Sequence, residues 1–199
     1  MPEKFFKRLA WRLYNLTPVD FINSYFSVQT IKINNLDIPR YDEYLKNLSK
    51  ELIDKNPCFF ILIKPSGIEY EDKIKAVLKR NKIQVYDEKT IDDYVRLGLR
   101  IYHRPYHTKE REFQSYLWFA LDEYLYADKL DKSKCLFLTK ESVEHKNLQE
   151  LKREIRLNIG HIKFYRVIYN NLQYEVFSSF VHIPDQIDLE REYSIVKNY

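Results

Sequence analysis

The sequence predicts an α+β protein: a ferredoxin-like split βαβ sheet covered by helices, preceded by a mostly helical N-terminal extension. Three observations carry the prediction. Residues 58–63 (CFFILI) and 135–138 (CLFL) are apolar without alternation, the pattern of strands buried on both faces. Around them lie segments whose apolar residues recur at helical spacing. From residue 57 the order reads β-α-β-(αα)-β-α-(β)-β-α, a split βαβ arrangement with added helices.

Each element has its own signal. Residues 3–15 place Phe5, Phe6, Leu9 and Leu13 on one side of a helix, with Lys4, Lys7, Arg8 and Arg12 around it. Such a basic amphipathic helix docks on its own domain or binds a partner or membrane surface. Thr17-Pro18 reads as a helix start. Residues 28–33 alternate like a strand, Asn34-Asn35 read as a turn, and residues 41–54 carry a helical period closed by Asn56-Pro57. After the strand at 58–63, Lys64-Pro65-Ser66-Gly67 forms a stop. A helix is expected over 69–81, a strand over 82–86, a helix capped by Thr90 and running to Tyr102, and a further helix over 109–127. Beyond the strand at 135–138, a helix spans 145–159 with Gly160 as its C-cap. Strands at 164–168 and 174–180 turn around Asn170-Asn171, and the last helix spans 185–197. The division is therefore an extension over residues 1–56, packed on a domain over residues 57–199.

Composition excludes several functions. The 199 residues contain only three glycines, Gly67, Gly98 and Gly160, too far apart for a Walker A loop, a GxGxxG loop or a glycine repeat. No apolar run reaches ~18 residues, so no transmembrane helix is expected. The start of the chain lacks the apolar core of a signal peptide. Cys58 and Cys135 read as free thiols of a reducing, cytoplasmic setting, and without CxxC or HxxxH spacing no protein metal site is expected. The balance of 33 basic against 29 acidic residues permits an anionic ligand but is too small to argue for nucleic acid, even with Trp11 and Tyr14 in the basic first helix.

Three places could carry chemistry. Lys64 ends a buried strand on a turn fixed by Pro65 and Gly67, where its ammonium is either a phosphate partner or a solvated strand end. His182 follows a β-run and precedes a helix, and Glu192 lies ten residues on, where it could orient the imidazole of a nucleophilic histidine. The alternative there is a structural histidine with Asp185 as the N-cap of the last helix. Arg153 and Arg156 share a helix face, suited to clamping phosphate oxygens or merely to the helix dipole.

Taken together and in order, these residues resemble the nucleoside diphosphate kinase family over roughly residues 57–197. FFILIKPSG stands where the family's first strand ends in a Lys-Pro-(Asp)-Gly turn. Arg156 lies four residues before Gly160, as an arginine does at the end of the family's third-strand helix. His182-Ile183-Pro184-Asp185, followed by Glu190-Arg191-Glu192, stands where the family has His-Gly-Ser-Asp and a Glu-bearing helix. Tyr102 matches a tyrosine near the end of the helix after the second strand. The sequence departs from the family at Ile183-Pro184, at Ser66 in the turn and at Ser179 three residues before the histidine. The family's phosphate-binding threonine and arginine have no clear match, Arg166 or Lys163 being the candidates for the arginine.

The resemblance implies phosphoryl transfer through a phosphohistidine on His182. It implies that Glu192 holds the imidazole, that Lys64, Tyr102, Arg156 and Arg166 bind nucleotide, and that Mg²⁺ accompanies the nucleoside triphosphate. Tyr106 or Phe113 would stack on the base. It also implies a homo-oligomer, unless residues 1–56 replace that interface or recruit a protein partner. The alternative expectation is a catalytically inactive member of the same fold that binds nucleotide or protein.

Overall fold

The computed structural model describes residues 28–46, 57–103, 108–144, 147–159 and 163–199. The expected helix at 3–15, the Thr17-Pro18 start, the end of the helix expected at 41–54, and Gly160 lie outside these residues. In chain order the elements are β1 (Gln29–Lys32), α1 (Ile38–Leu45), β2 (Phe60–Ile63), a 3₁₀ segment (Pro65–Tyr70), α2 (Glu71–Arg80), β3 (Val85–Ile91), α3 (Tyr94–Tyr102) and α4 (Lys109–Tyr126). There follow β4 (Ser133–Leu138), α5 (Lys140–Val143), α6 (Leu148–Ile159), β5 (Lys163–Tyr169), β6 (Leu172–Ser178), β7 (Val181–His182) and α7 (Leu189–Lys197).

The main sheet has the order β3-β4-β2-β7 with every neighbouring pair antiparallel. This is the split βαβ order, in which the first and third strands are central and the second and fourth lie at the edges. β2 is buried along its whole length. Its Phe60 and Leu62 join a core with α3, α4 and the second sheet, while Ile61 and Ile63 join one with α2 and α6. A strand covered on both faces has no polar side to show, which is why CFFILI is unbroken. Among the described residues, no helix is long and apolar enough to cross a membrane.

The second sheet has the order β1-β5-β6, with β1 parallel to β5. It corrects the expected route to His182. The run at 174–180 is not the fourth strand of the main sheet; most of it is β6, the far arm of a hairpin whose Asn170 and Asn171 have φ of 49° and 61°. Two adjacent left-handed residues make the tight turn that asparagine tolerates best. The fourth strand is the two-residue β7, which pairs with β2 through His182 opposite Leu62. Residues 28–46 contribute Ile31, Ile33 and Tyr41 to the core shared with the main sheet.

Other boundaries moved for local reasons. α1 begins at Ile38, three residues before the expected 41, because the Asp37 side chain accepts from the Arg40 backbone N–H at 3.2 Å. The strand expected at 82–86 instead runs from Val85 to Ile91, paired along β4. Thr90 is thus a strand residue, and Asp93 caps α3, accepting from the Arg96 N–H at 3.0 Å. The ladder on offer from the apolar β4 overrides the weak strand propensity of Asp87, Glu88 and Lys89, which stay exposed or half-buried at the sheet's edge. The helix expected at 145–159 starts at Leu148, where Asn147 accepts from the Gln149 N–H.

The turn after β2 is locked to the entrance of β7. The Lys64 N–H donates to the Phe180 carbonyl at 2.9 Å, and the Gly67 N–H donates to the Lys64 carbonyl at 2.8 Å. A Cβ on Gly67 would run into that same Phe180 carbonyl oxygen. Gly67→Ala is expected to destabilise the fold by about 2–3 kcal/mol, because backbone rather than a flexible side chain must give way. Urea unfolding of the variant beside the wild type measures it.

Candidate functional site

His182 sits on β7 with both ring nitrogens engaged. Nε2 lies 2.6 Å from a Glu192 carboxylate oxygen, and Nδ1 lies 2.9 Å from the Tyr102 hydroxyl. An ionised carboxylate only accepts, so the ring proton belongs on Nε2, and Nδ1 presents its lone pair to the Tyr102 O–H. Glu192 is fully buried in the opening turns of α7, where the positive end of the helix dipole favours a carboxylate. The imidazole is almost enclosed, at 12% exposure.

Tyr102 joins the histidine to the lysine. Its ring meets the His182 ring edge-on at 5.0 Å between centroids, and the Lys64 ammonium lies 5.2 Å from the same tyrosine ring. Lys64, the phosphate candidate of the sequence, has an unusual setting. Its side chain is 0% exposed, and its Nζ has no hydrogen-bond partner among the described residues. The ammonium faces the Trp118 ring at 3.8 Å from the centroid. Burial brings the Lys64 pKa down to about 7; Asp122 opposes this and the positive charge of Arg156 adds to it.

Arg156, on α6, disfavours the charge of Lys152 as well, one helical turn before it. Burial first and then Arg156 lower the Lys152 pKa. Lys152 reaches the Ile183 carbonyl at 3.2 Å and Asp185 at 3.3 Å, next to the histidine along the chain. Burial works against the Asp185 carboxylate, but Lys152, Gln149 and His182 together hold its pKa below the usual range. Asp185 is therefore a partner of Lys152, and the N-cap position of α7 falls to Asp188.

Arg191 ties the two halves of the site together. From α7 its guanidinium donates to the carbonyls of Arg100 at 2.8 Å, Ile101 at 3.1 Å and His103, the last turn of the helix that carries Tyr102. These are carbonyls with no partner inside the helix. Arg191→Ala is expected to cost about 1–3 kcal/mol in urea unfolding, the range for lost hydrogen bonds to a charged group.

Lys64, Tyr102, His182 and Glu192 thus form one contiguous set, with Arg156 within electrostatic reach of Lys64. Arg166 does not join it: it stands on β5 of the second sheet, opposite Glu175, with its Nε 3.6 Å from that carboxylate. The hairpin was expected to lead into the histidine strand; because it instead pairs with β1, it takes Arg166 and Lys163 onto the other sheet. Phe113 packs against Tyr169 and Tyr174 of that sheet, away from a base-stacking role, and Tyr106 lies outside the described residues. Sequence reasoning missed Trp118, Asp122 and Lys152. A phase argument was available for two of them, since Trp118 and Asp122 are one turn apart on α4, and an aspartate in a largely apolar stretch (WFALDEYL) marks a buried charge.

Among the described residues no group of three or more His, Cys, Asp or Glu side chains could hold a metal ion. Comparison with protein-family models, with curated proteins and with solved structures gives no match for this chain.

Proposed function

We propose that this protein is a nucleoside diphosphate kinase-like phosphotransferase that works through a phosphohistidine on His182. The observation that supports it best is the pair of contacts on one imidazole: a buried carboxylate on Nε2 and a tyrosine hydroxyl on Nδ1, beside a lysine. A carboxylate behind a histidine fixes its tautomer and strengthens the far nitrogen as a nucleophile. In the first step the Nδ1 lone pair forms a bond to the γ-phosphorus of a nucleoside triphosphate. The bond to the β,γ-bridging oxygen breaks, and the nucleoside diphosphate leaves with that electron pair. In the second step a terminal oxygen of another diphosphate attacks the phosphohistidine, and Nδ1 recovers its lone pair.

Glu192 stabilises the imidazolium character that develops during both steps. The Tyr102 O–H turns about its C–O bond, taking its proton from Nδ1 to the incoming phosphoryl oxygens. Lys64 and Arg156 face the anionic oxygens as charge builds on them. Mg²⁺ enters as part of the substrate, carried by its phosphates. The free thiols Cys58 and Cys135 suit a reducing compartment, and we place the protein in the cytoplasm. A homo-oligomer, or a protein partner held through residues 1–56, belongs to the same proposal.

Incubation with γ-labelled nucleoside triphosphate and Mg²⁺ tests it: the expected product is an acid-labile, base-stable phosphate adduct on His182. One observation favours a second reading, an inactive nucleotide- or protein-binding member of the fold: the Trp118 ring lies on the Lys64 ammonium. Nucleotide binding with no adduct would establish that reading in place of the first. Absence of both would leave only the fold.

A further inference from the structure

We propose that Trp118 is the specificity-determining residue of this site: its indole covers the face of the Lys64 ammonium that an anion would take, so that only a multiply charged ligand, a polyphosphate, displaces it. This rests on the anion-binding half of the function proposed above. It does not rest on the transfer step.

The site is closed by contacts in the chain itself. Lys64 Nζ is fully buried, 3.8 Å from the Trp118 ring centroid and 5.2 Å from that of Tyr102. Trp118 and Tyr102 pack on each other at 4.6 Å. Trp118 is half-buried: its ring stacks with Phe119 at 5.5 Å between centroids and its face meets the lysine. Among the described residues this buried ammonium has nothing to donate to, and a ring face is a weaker partner than phosphate oxygens. An anion that reaches Lys64 must therefore move the indole.

Charge decides which anions can. Asp122 of α4 and Arg156 of α6 are the charged groups that act on Lys64, with opposite signs, while Tyr102 of α3 is its other ring neighbour. Burial leaves Lys64 partly neutral at pH 7, so a ligand must also draw a proton onto it. A singly or doubly charged anion gains too little from one lysine to do both. A chain of phosphates also gains from Arg156 and from the neighbouring Lys152, which Asp185 holds ready. Selectivity for polyphosphate over single phosphates then follows from the indole's presence, without any contact between the indole and the ligand.

The test uses inorganic tripolyphosphate and orthophosphate as probes, with calorimetry on the full chain at pH 7.5. In the wild type, tripolyphosphate should bind at least about tenfold tighter than orthophosphate, and with Trp11→Phe in place the remaining Trp118 emission should change at saturation. Trp118→Ala should bind orthophosphate about tenfold tighter than the wild type, with a smaller gain for tripolyphosphate, so that the selectivity falls. Lys64→Met added to Trp118→Ala should abolish the gain. If Trp118→Ala does not fold, the Trp118 emission change in Trp11→Phe decides alone. Unchanged or weaker orthophosphate binding in Trp118→Ala, no binding of either anion in either protein, or unaltered Trp118 emission at tripolyphosphate saturation overturns the proposal. Absence of phosphohistidine alongside the expected anion binding would sink the kinase reading and leave this inference standing.

Discussion

His182→Ala is expected to abolish phosphate incorporation from nucleoside triphosphate, a loss on the order of 10³-fold or more, while nucleotide binding stays nearly intact. The asymmetry follows from what each side chain contributes. In the proposed mechanism the imidazole supplies the nucleophile, while Tyr102 and Glu192 are turned onto the histidine itself. The proposed attraction for the phosphates comes from Lys64 and Arg156, which the substitution leaves in place. The replacement also removes the buried partner of Glu192, so the variant's stability must be checked beside its activity. A His182→Gln variant, which can still donate to Glu192, separates the two effects. Adduct formation in either variant would show that the phosphate sits on another residue and would end the phosphohistidine reading. Equal nucleotide binding with no adduct in wild type or variant would place the protein among the inactive binders.

The site was legible in the sequence wherever it is written in short-range spacing. Lys64 at the end of CFFILI, Glu192 ten residues after His182, and Tyr102 at the end of its helix are all set by the ends of elements, and element ends leave strong marks. What was not legible depends on how distant elements meet. Nothing local says that the hairpin at 163–178 pairs with Gln29–Lys32 rather than feeding the histidine strand, because an alternating strand is equally content in either sheet. Arg166 was carried off with it. Trp118 was hidden for a related reason: an aromatic residue in an apolar helix reads as core, and only the crossing of α4 over the turn after β2 puts its ring on a lysine. The first three strands of the main sheet and the helices between them could be read, because a split βαβ sheet needs only the sequence of buried runs and helices; the fourth strand, two residues long, could not. Its extra sheet could not, because β1 lies outside that sequence of elements.

Lys64→Met is expected to do two opposite things: stabilise the fold and disable the site. Methionine has nearly the shape of the lysine stem and no charge to desolvate, and the Trp118 and Tyr102 rings accept a thioether well. The sign comes from linkage. In the folded protein the Lys64 pKa is lowered to about 7, against 10.5 for an ordinary lysine, and that value already includes the attraction of Asp122. The fold thus disfavours the ammonium on balance. The penalty is fully present below about pH 7, where folded and unfolded chains are both protonated. It fades by up to about 1.4 kcal/mol per pH unit as pH rises from there toward 10.5. The advantage of Lys64→Met over the wild type should accordingly be largest near pH 6 and should shrink steadily toward pH 10. Paired urea titrations across that range measure it, and a variant less stable than the wild type at pH 6, or a difference that does not vary with pH, would contradict the account of Lys64 as a buried cation whose desolvation outweighs the attraction of Asp122. The same variant should lose triphosphate binding and phosphate transfer together, by roughly 10²–10³-fold in transfer, the usual effect of removing one group that meets developing charge. Stability gained together with binding lost in Lys64→Met would therefore identify the buried lysine as a group held for the proposed anion rather than for the fold.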